Sequence, residues 1–155
     1  MTEPKAQPVL FEERRAANGA CIGIARLNAE KALNALSLEM IDLLAERLAA
    51  WAADPGVALV VLEGAGEKAF SAGADLRELP GDGKAYVPPR TGSAIREQHR
   101  LKTRGMHRIY DEMEHIEKPI VAAIHATFVG GGLEMALSCD FRLAAKSASF
   151  SFPEG

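Results

Sequence analysis

At 155 residues, 48% of them hydrophobic, the chain has the length of one ordinary domain and enough apolar material to bury a sizeable core. Its 18 Lys and Arg stand against 21 Asp and Glu for a formal net charge of -3, so no overall basic field invites nucleic acid or an anionic membrane. No apolar run is long enough to span a bilayer, and Cys21 and Cys139 lie too far apart for metal or redox spacing, which fits small core thiols in a reducing, cytoplasmic setting.

Residues 1–8 lack an apolar signal core and read as a disordered lead-in to a single domain over 9–155. Residues 9–11 and 20–27 are β-prone runs separated by a polar turn that ends in Asn18-Gly19, which predicts an antiparallel hairpin. The connection over 28–36, Asn-Ala-Glu-Lys-Ala-Leu-Asn-Ala-Leu, is polar and rich in small residues, and its periodicity assigns it no role. Ser37 is placed to cap a helix with Glu39 in its first turn. Leu36, Met40, Leu43, Leu44, Leu48 and Trp51 follow at helical spacing until Asp54-Pro55-Gly56 ends the pattern, and Trp51 reads as core. Residues 57–62, Val-Ala-Leu-Val-Val-Leu, are continuously apolar, as in a parallel strand covered on both faces and reached by a right-handed crossover.

Gly64, Gly66 and Ala69 fit the G-x-G-x-x-A form of a dinucleotide fingerprint, yet Gly73 stands where the required helix would run. Where the second strand should lie, residues 80–92 hold Pro80, Pro88 and Pro89 among glycines, the composition of a mobile surface loop. Nicotinamide binding is therefore rejected. Residues 95–116 predict a second long helix with Met106, Ile109, Met113 and Ile116 on its apolar face. His99, His107 and His115 lie along it without metal-ligand spacing, so they read as surface or structural histidines and no metal site is expected.

The most informative stretch is 118–140, Lys-Pro-Ile-Val-Ala-Ala-Ile-His-Ala-Thr-Phe-Val-Gly-Gly-Gly-Leu-Glu-Met-Ala-Leu-Ser-Cys-Asp. It reads as a buried strand over 120–124, a turn at Gly130, Gly131 and Gly132, and a short helix over 133–139 with Glu134 in its first turn. Glycines let a ligand approach the backbone, and the first N–H groups of a helix have no partner inside it. An anion, or an oxygen that becomes anionic during a reaction, is the natural guest. Tight strand-to-helix packing is the other reading of the same three glycines. A strand follows over 141–145, and no internal repeat is evident.

Three separated segments, Asn28–Leu36, Ala69-Phe-Ser-Ala-Gly-Ala-Asp-Leu76 and 118–140, resemble in content, order and spacing the enoyl-CoA hydratase/isomerase (crotonase) superfamily. The resemblance covers nearly the whole chain from the first strand to Glu154. It implies an α/β crotonase-like fold, the ClpP/crotonase spiral of ββα units, acting on acyl-CoA thioesters. By similarity, the backbone N–H groups of Ala74 and Gly131 form the hole that holds the thioester oxygen. The CoA moiety is expected along Lys31, Ala32 and Leu33 and along Ser71, Ala72, Gly73, Ala74, Asp75 and Leu76, with Gly130 and Gly131 beside the thioester. Lys31 either pairs with a CoA phosphate or is simply solvated.

Glu134 and Glu154 match the two glutamates of the family's hydratases, one activating water for C3 and the other protonating C2. As structure alone, Glu134 would be a helix-dipole partner and Glu154 a solvated loop carboxylate. The implied activity is hydration of a 2-enoyl-CoA, with isomerisation, other acyl-CoA lyase or hydrolase chemistry, and a non-catalytic acyl-CoA-binding or subunit-interaction role as alternatives. No cofactor is implied beyond the CoA of the substrate. Family members are longer and assemble as trimers or dimers of trimers, so this chain resembles the N-terminal part of the fold, cut before the C-terminal trimerisation helices, with apolar faces left exposed.

Overall fold

The computed structural model describes residues 6–75 and 107–152. The loop over 80–92, the beginning of the second helix with His99 and Met106, and the site residues Leu76 and Glu154 lie outside the described residues.

The chain opens with β1 (Val9–Arg15) and β2 (Cys21–Leu27), paired antiparallel from Val9 opposite Leu27 to Arg15 opposite Cys21. Gly19 takes φ +85°, and Asn18 Oδ1 accepts the N–H of Ala20 at 3.1 Å, so the Asn-Gly turn acts as expected. β1 runs on past Phe11 through the polar residues Glu12 to Arg15. It is the edge strand of its sheet, where exposed polar side chains cost nothing and pairing to one neighbour suffices.

Helix α1 (Leu38–Ala53) begins where Ser37 Oγ accepts the Met40 N–H at 3.1 Å. It buries Met40, Ile41, Leu44, Leu48 and Trp51 against β1, β2 and β3. A Cβ at Gly23 would lie 2.8 Å from the Trp51 ring, so this β2 position must be glycine for the indole to lie on the sheet. Phe11 meets the same ring edge-on at 5.8 Å, and Trp51 Nε1 donates to Glu13 Oε1 at 2.9 Å. Leu36, expected in the stripe of α1, instead precedes the cap and pairs with Ala74 in an isolated parallel bridge.

Two sheets follow. The larger has the order β1-β2-β3-β5-β7, in which β3 (Val57–Gly64), β5 (Ile120–Ile124) and β7 (Phe141–Ala144) extend from β2 in parallel. The smaller is parallel throughout in the order β4-β6-β8, formed by β4 (Ala69–Ser71), β6 (Thr127–Val129) and β8 (Phe150–Ser151). Each strand of the large sheet from β3 onward is thus followed by a short strand of the small one. Helical residues 107–115, labelled α2, precede β5, and α3 (Gly131–Leu137) follows β6. This is a repeated ββα unit without a repeat in the residues, because what recurs is strand pairing and not side-chain identity.

β3 is not covered equally on both faces. Val60 and Leu62 are buried while Leu59, Val61 and Glu63 are half-buried, and β5 alternates in the same phase. The half-buried face carries an ion pair, Arg26 Nε to Glu63 Oε1 at 2.6 Å, which an apolar cover would leave poorly solvated. At the start of β5 the Ile120 N–H donates to Asp140 Oδ2 at 2.7 Å, so the last residue of the 118–140 stretch ties its two ends together. Across the small sheet Phe70 meets Phe128 edge-on at 6.4 Å, and Phe128 meets Phe150 at a tilt at 5.6 Å. The last strands of both sheets leave Phe141, Leu143 and Phe150 exposed. Among the described residues no helix is long and apolar enough to cross a membrane.

Candidate active site

The connection over 28–36, opaque in sequence, is a knot tied by one side chain. After a single 3-10 turn (Glu30–Ala32), Leu33 and Asn34 both adopt left-handed backbone, φ +53° and +54°. Asparagine tolerates this region better than most residues. Asn34 is fully buried, at 0% exposure. Its Oδ1 accepts the Ala29 N–H at 3.0 Å, and its Nδ2 donates to the carbonyls of Ala65 and Ala69, each at 2.9 Å. Ser71 Oγ, equally buried, donates to the Asn34 carbonyl at 2.9 Å and accepts the Gly73 N–H at 3.2 Å. A short ladder completes the join: Ala72 N–H to Leu33 O, Leu36 N–H to Gly73 O and Asp75 N–H to Leu36 O, at 2.9, 2.7 and 2.9 Å. Lys31 and Leu33 stay exposed on the loop that this ladder presses against 72–75.

The same 71–75 turn meets the glycine turn. Gly73 takes φ +85°, and a Cβ there would lie 2.9 Å from Val129 O and 3.1 Å from the amide nitrogen of Gly131. A Cβ on Gly132 would come within 2.7 Å of Ser71 Cβ and O. Gly132 is therefore a packing glycine, so the packing reading of the triple glycine holds for that position.

Gly131 differs. The Gly130 carbonyl accepts the N–H groups of Leu133 and Glu134, at 2.8 and 3.0 Å, and so points into α3. A trans peptide sends its C=O and N–H in opposite directions, so the Gly131 N–H on that same peptide points out of the helix. Among the described residues no hydrogen bond uses the N–H of Gly131 or that of Ala74. Two open donors thus stand on segments in van der Waals contact.

Glu134, expected in the first helical turn, is there and exposed. Beside it lies Tyr110 of α2, 7% exposed, whose hydroxyl donates to the Gly131 carbonyl at 2.9 Å. Burial first, and then the nearby Glu134 carboxylate, push the Tyr110 phenol well above its ordinary value, so it remains a donor. Asn34, Tyr110 and Asp140 went unassigned in the sequence. For Tyr110 the available signal was its place beside Ile109 on the apolar stripe of α2.

Among the described residues no group of three or more His, Cys, Asp or Glu could hold a metal. Both cysteines are free. Cys139 is buried, donates to Met135 O at 3.4 Å and has its thiol pushed up to about 12, chiefly by burial. Native protein titrated with a thiol reagent at neutral to mildly alkaline pH should therefore leave Cys139 unmodified, with reaction appearing only on unfolding. Rapid labelling of Cys139 in the folded chain would contradict its core role.

Comparison with known proteins follows the same lines. The enoyl-CoA hydratase/isomerase family profile matches residues 22–155. The chain is 37% identical over 132 residues to the mitochondrial 3-hydroxyisobutyryl-CoA hydrolase of Gallus gallus, covering 85% of this chain and 32% of that protein. It is 34% identical over 145 residues to the mitochondrial enoyl-CoA hydratase of Pongo abelii, covering 94% and 44%. The crystal structure of enoyl-CoA hydratase from Bacillus anthracis superposes with a TM-score of 0.74 at 33% identity, over 93% of this chain and 50% of that one. The chain therefore spans about a third to a half of the length of these relatives. By the family profile, these identities and the fold itself, the chain belongs to the enoyl-CoA hydratase/isomerase (crotonase) family.

Proposed function

We propose that the chain holds an acyl-CoA thioester with its carbonyl oxygen between the N–H groups of Ala74 and Gly131, and that the reaction served is hydration of a 2-enoyl-CoA. The observation that carries this reading is the pair of open donors on two touching segments, with Glu134 three residues beyond Gly131 on α3. In this reaction water adds its oxygen to C3 and the electron pair of the double bond moves toward the carbonyl, leaving an enolate whose negative oxygen sits in the hole. Donors aimed at the developing charge stabilise it more than the neutral thioester. Glu134 takes the proton from water and Glu154 delivers one to C2. The CoA portion runs along Lys31, Ala32 and Leu33, of which Lys31 and Leu33 are exposed, and along the 71–75 turn and Leu76, where small residues suit the approach of a nucleotide. CoA is part of the substrate, and no resident cofactor is called for.

A second reading, thioester hydrolysis, is favoured by the relatives named 3-hydroxyisobutyryl-CoA hydrolase. There water would attack the carbonyl carbon, the same hole would hold the tetrahedral oxyanion, and the CoA thiol would leave. Both readings are separated by two assays on the wild-type chain. Loss of enone absorbance from crotonyl-CoA without free thiol supports hydration; thiol release from 3-hydroxyisobutyryl-CoA supports hydrolysis; thioester binding with neither supports a non-catalytic binder.

For hydration, Glu134→Gln should lower kcat by roughly 10²–10⁴-fold, the usual worth of a general acid or base. CoA affinity should stay within about twofold, since the carboxylate acts on water and not on the nucleotide. Undiminished hydration by this variant would remove Glu134 from the mechanism.

A further inference from the structure

A buried tyrosine needs a reason for its hydroxyl. On α2 the neighbours of Tyr110 are the buried Ile109 and Met113, and phenylalanine would fill the same space without a polar atom to satisfy. The hydroxyl donates to the carbonyl of Gly131 at 2.9 Å, with the Glu134 carboxylate beside it as a second acceptor within reach. Gly131 has no Cβ to restrict its rotation, so the direction of its N–H depends on what holds the peptides on either side. The preceding peptide is held by the Gly130 carbonyl, which accepts from Leu133 and Glu134. The following peptide carries the Gly131 carbonyl, and Tyr110 reaches it from a different helix.

We propose that Tyr110 is a positioning residue: its hydroxyl, anchored on the Gly131 carbonyl beside Glu134, fixes the angle at which the Gly131 N–H and the Glu134 carboxylate address the thioester. This rests on the thioester reading given above and adds to it the group that holds the hole in shape. The state of the phenol agrees, because burial and the adjacent carboxylate keep its proton in place. α2 lies N-terminal to the 118–140 stretch, so the tether also couples the helix before β5 to the turn after β6.

The test is Tyr110→Phe in the whole chain, read in two ways. With crotonyl-CoA, kcat should fall roughly three- to tenfold, the worth of one ordinary hydrogen bond, with KM within about twofold. With acetoacetyl-CoA, which ionises to an enolate with its own near-ultraviolet band, the enolate fraction of the bound ligand should fall while affinity for CoA itself is unchanged. The band reads the hole directly and does not require turnover. Met113→Leu, in the same core one turn along α2, should leave the band as in wild type. Wild-type kcat and an unaltered band in Tyr110→Phe would overturn the proposal, as would an equal loss in Met113→Leu, which would make the effect one of packing. If wild type bound no thioester at all, the thioester reading itself would fall and this role with it; a wild type that binds while Tyr110→Phe changes nothing defeats only the role of Tyr110.

Discussion

Gly131→Pro should abolish most of the turnover of crotonyl-CoA, by about 10²–10³-fold, while the chain stays folded. Proline removes the amide hydrogen outright, and loss of one oxyanion donor has effects of that size. The position favours a clean experiment. Gly131 is the first residue of α3, where proline is well tolerated because the N–H makes no intrahelical bond. Thermal unfolding should therefore move little, and CoA affinity should persist. Gly131→Ala keeps the N–H and should lose less than about tenfold. Near-normal turnover by Gly131→Pro would mean that the thioester oxygen does not depend on this amide.

The largest expected loss of stability comes from a residue with no chemical role. Asn34→Leu should destabilise the fold by about 3 kcal/mol in urea or thermal unfolding, since it takes a hydrogen bond from one buried and two half-buried partners, at about 1–3 kcal/mol for a fully buried group and less where water reaches it. Those partners are the Ala29 N–H and the carbonyls of Ala65 and Ala69. Leucine must also accept φ near the +54° of Asn34, where a Cβ-bearing residue without a local hydrogen bond is strained. The loss is a large fraction of a typical domain's total stability. Thioester affinity should weaken in parallel, because Asn34 ties the 28–36 loop to Ala65 and Ala69 and so supports the ladder that holds Leu33 beside the 71–75 turn. A change below about 1 kcal/mol would show that the knot contributes little.

What the sequence discloses about this fold depends on how local the cause is. Ser37 and the stripe from Met40 to Trp51 announce α1 because a cap and a period of 3.6 are written within a few turns. Asn18-Gly19 announces the hairpin for the same reason. The polar end of β1, Glu12 to Arg15, is silent, because its strand state comes from pairing with β2 at an exposed sheet edge. The continuous apolar run of β3 suggested cover on both faces, while the ion pair between Arg26 and Glu63 on the half-buried face is formed by residues 37 positions apart. The ββα repeat leaves no trace in residue identity: across the small sheet Ser71, not Phe70, lies opposite Phe128.

The site divides in the same way. The motifs around Gly131 and Ala74 mark two segments far apart in the chain, and the structure brings those segments together at Gly73. Gly132 and Gly131 look identical in sequence, yet one admits the Ser71 side chain and the other presents a donor; only the direction of the Gly130 carbonyl separates them. Asn34 and Tyr110 act through carbonyls supplied by distant segments, which no spacing rule encodes.

A structure of this chain with a bound acyl-CoA tests the proposed hole most directly. The thioester oxygen should lie within about 2.7–3.1 Å of both the Ala74 and Gly131 nitrogens, the range expected of an oxyanion hole. A thioester oxygen that bonds elsewhere, with either amide left turned away from it, would contradict the proposed hole.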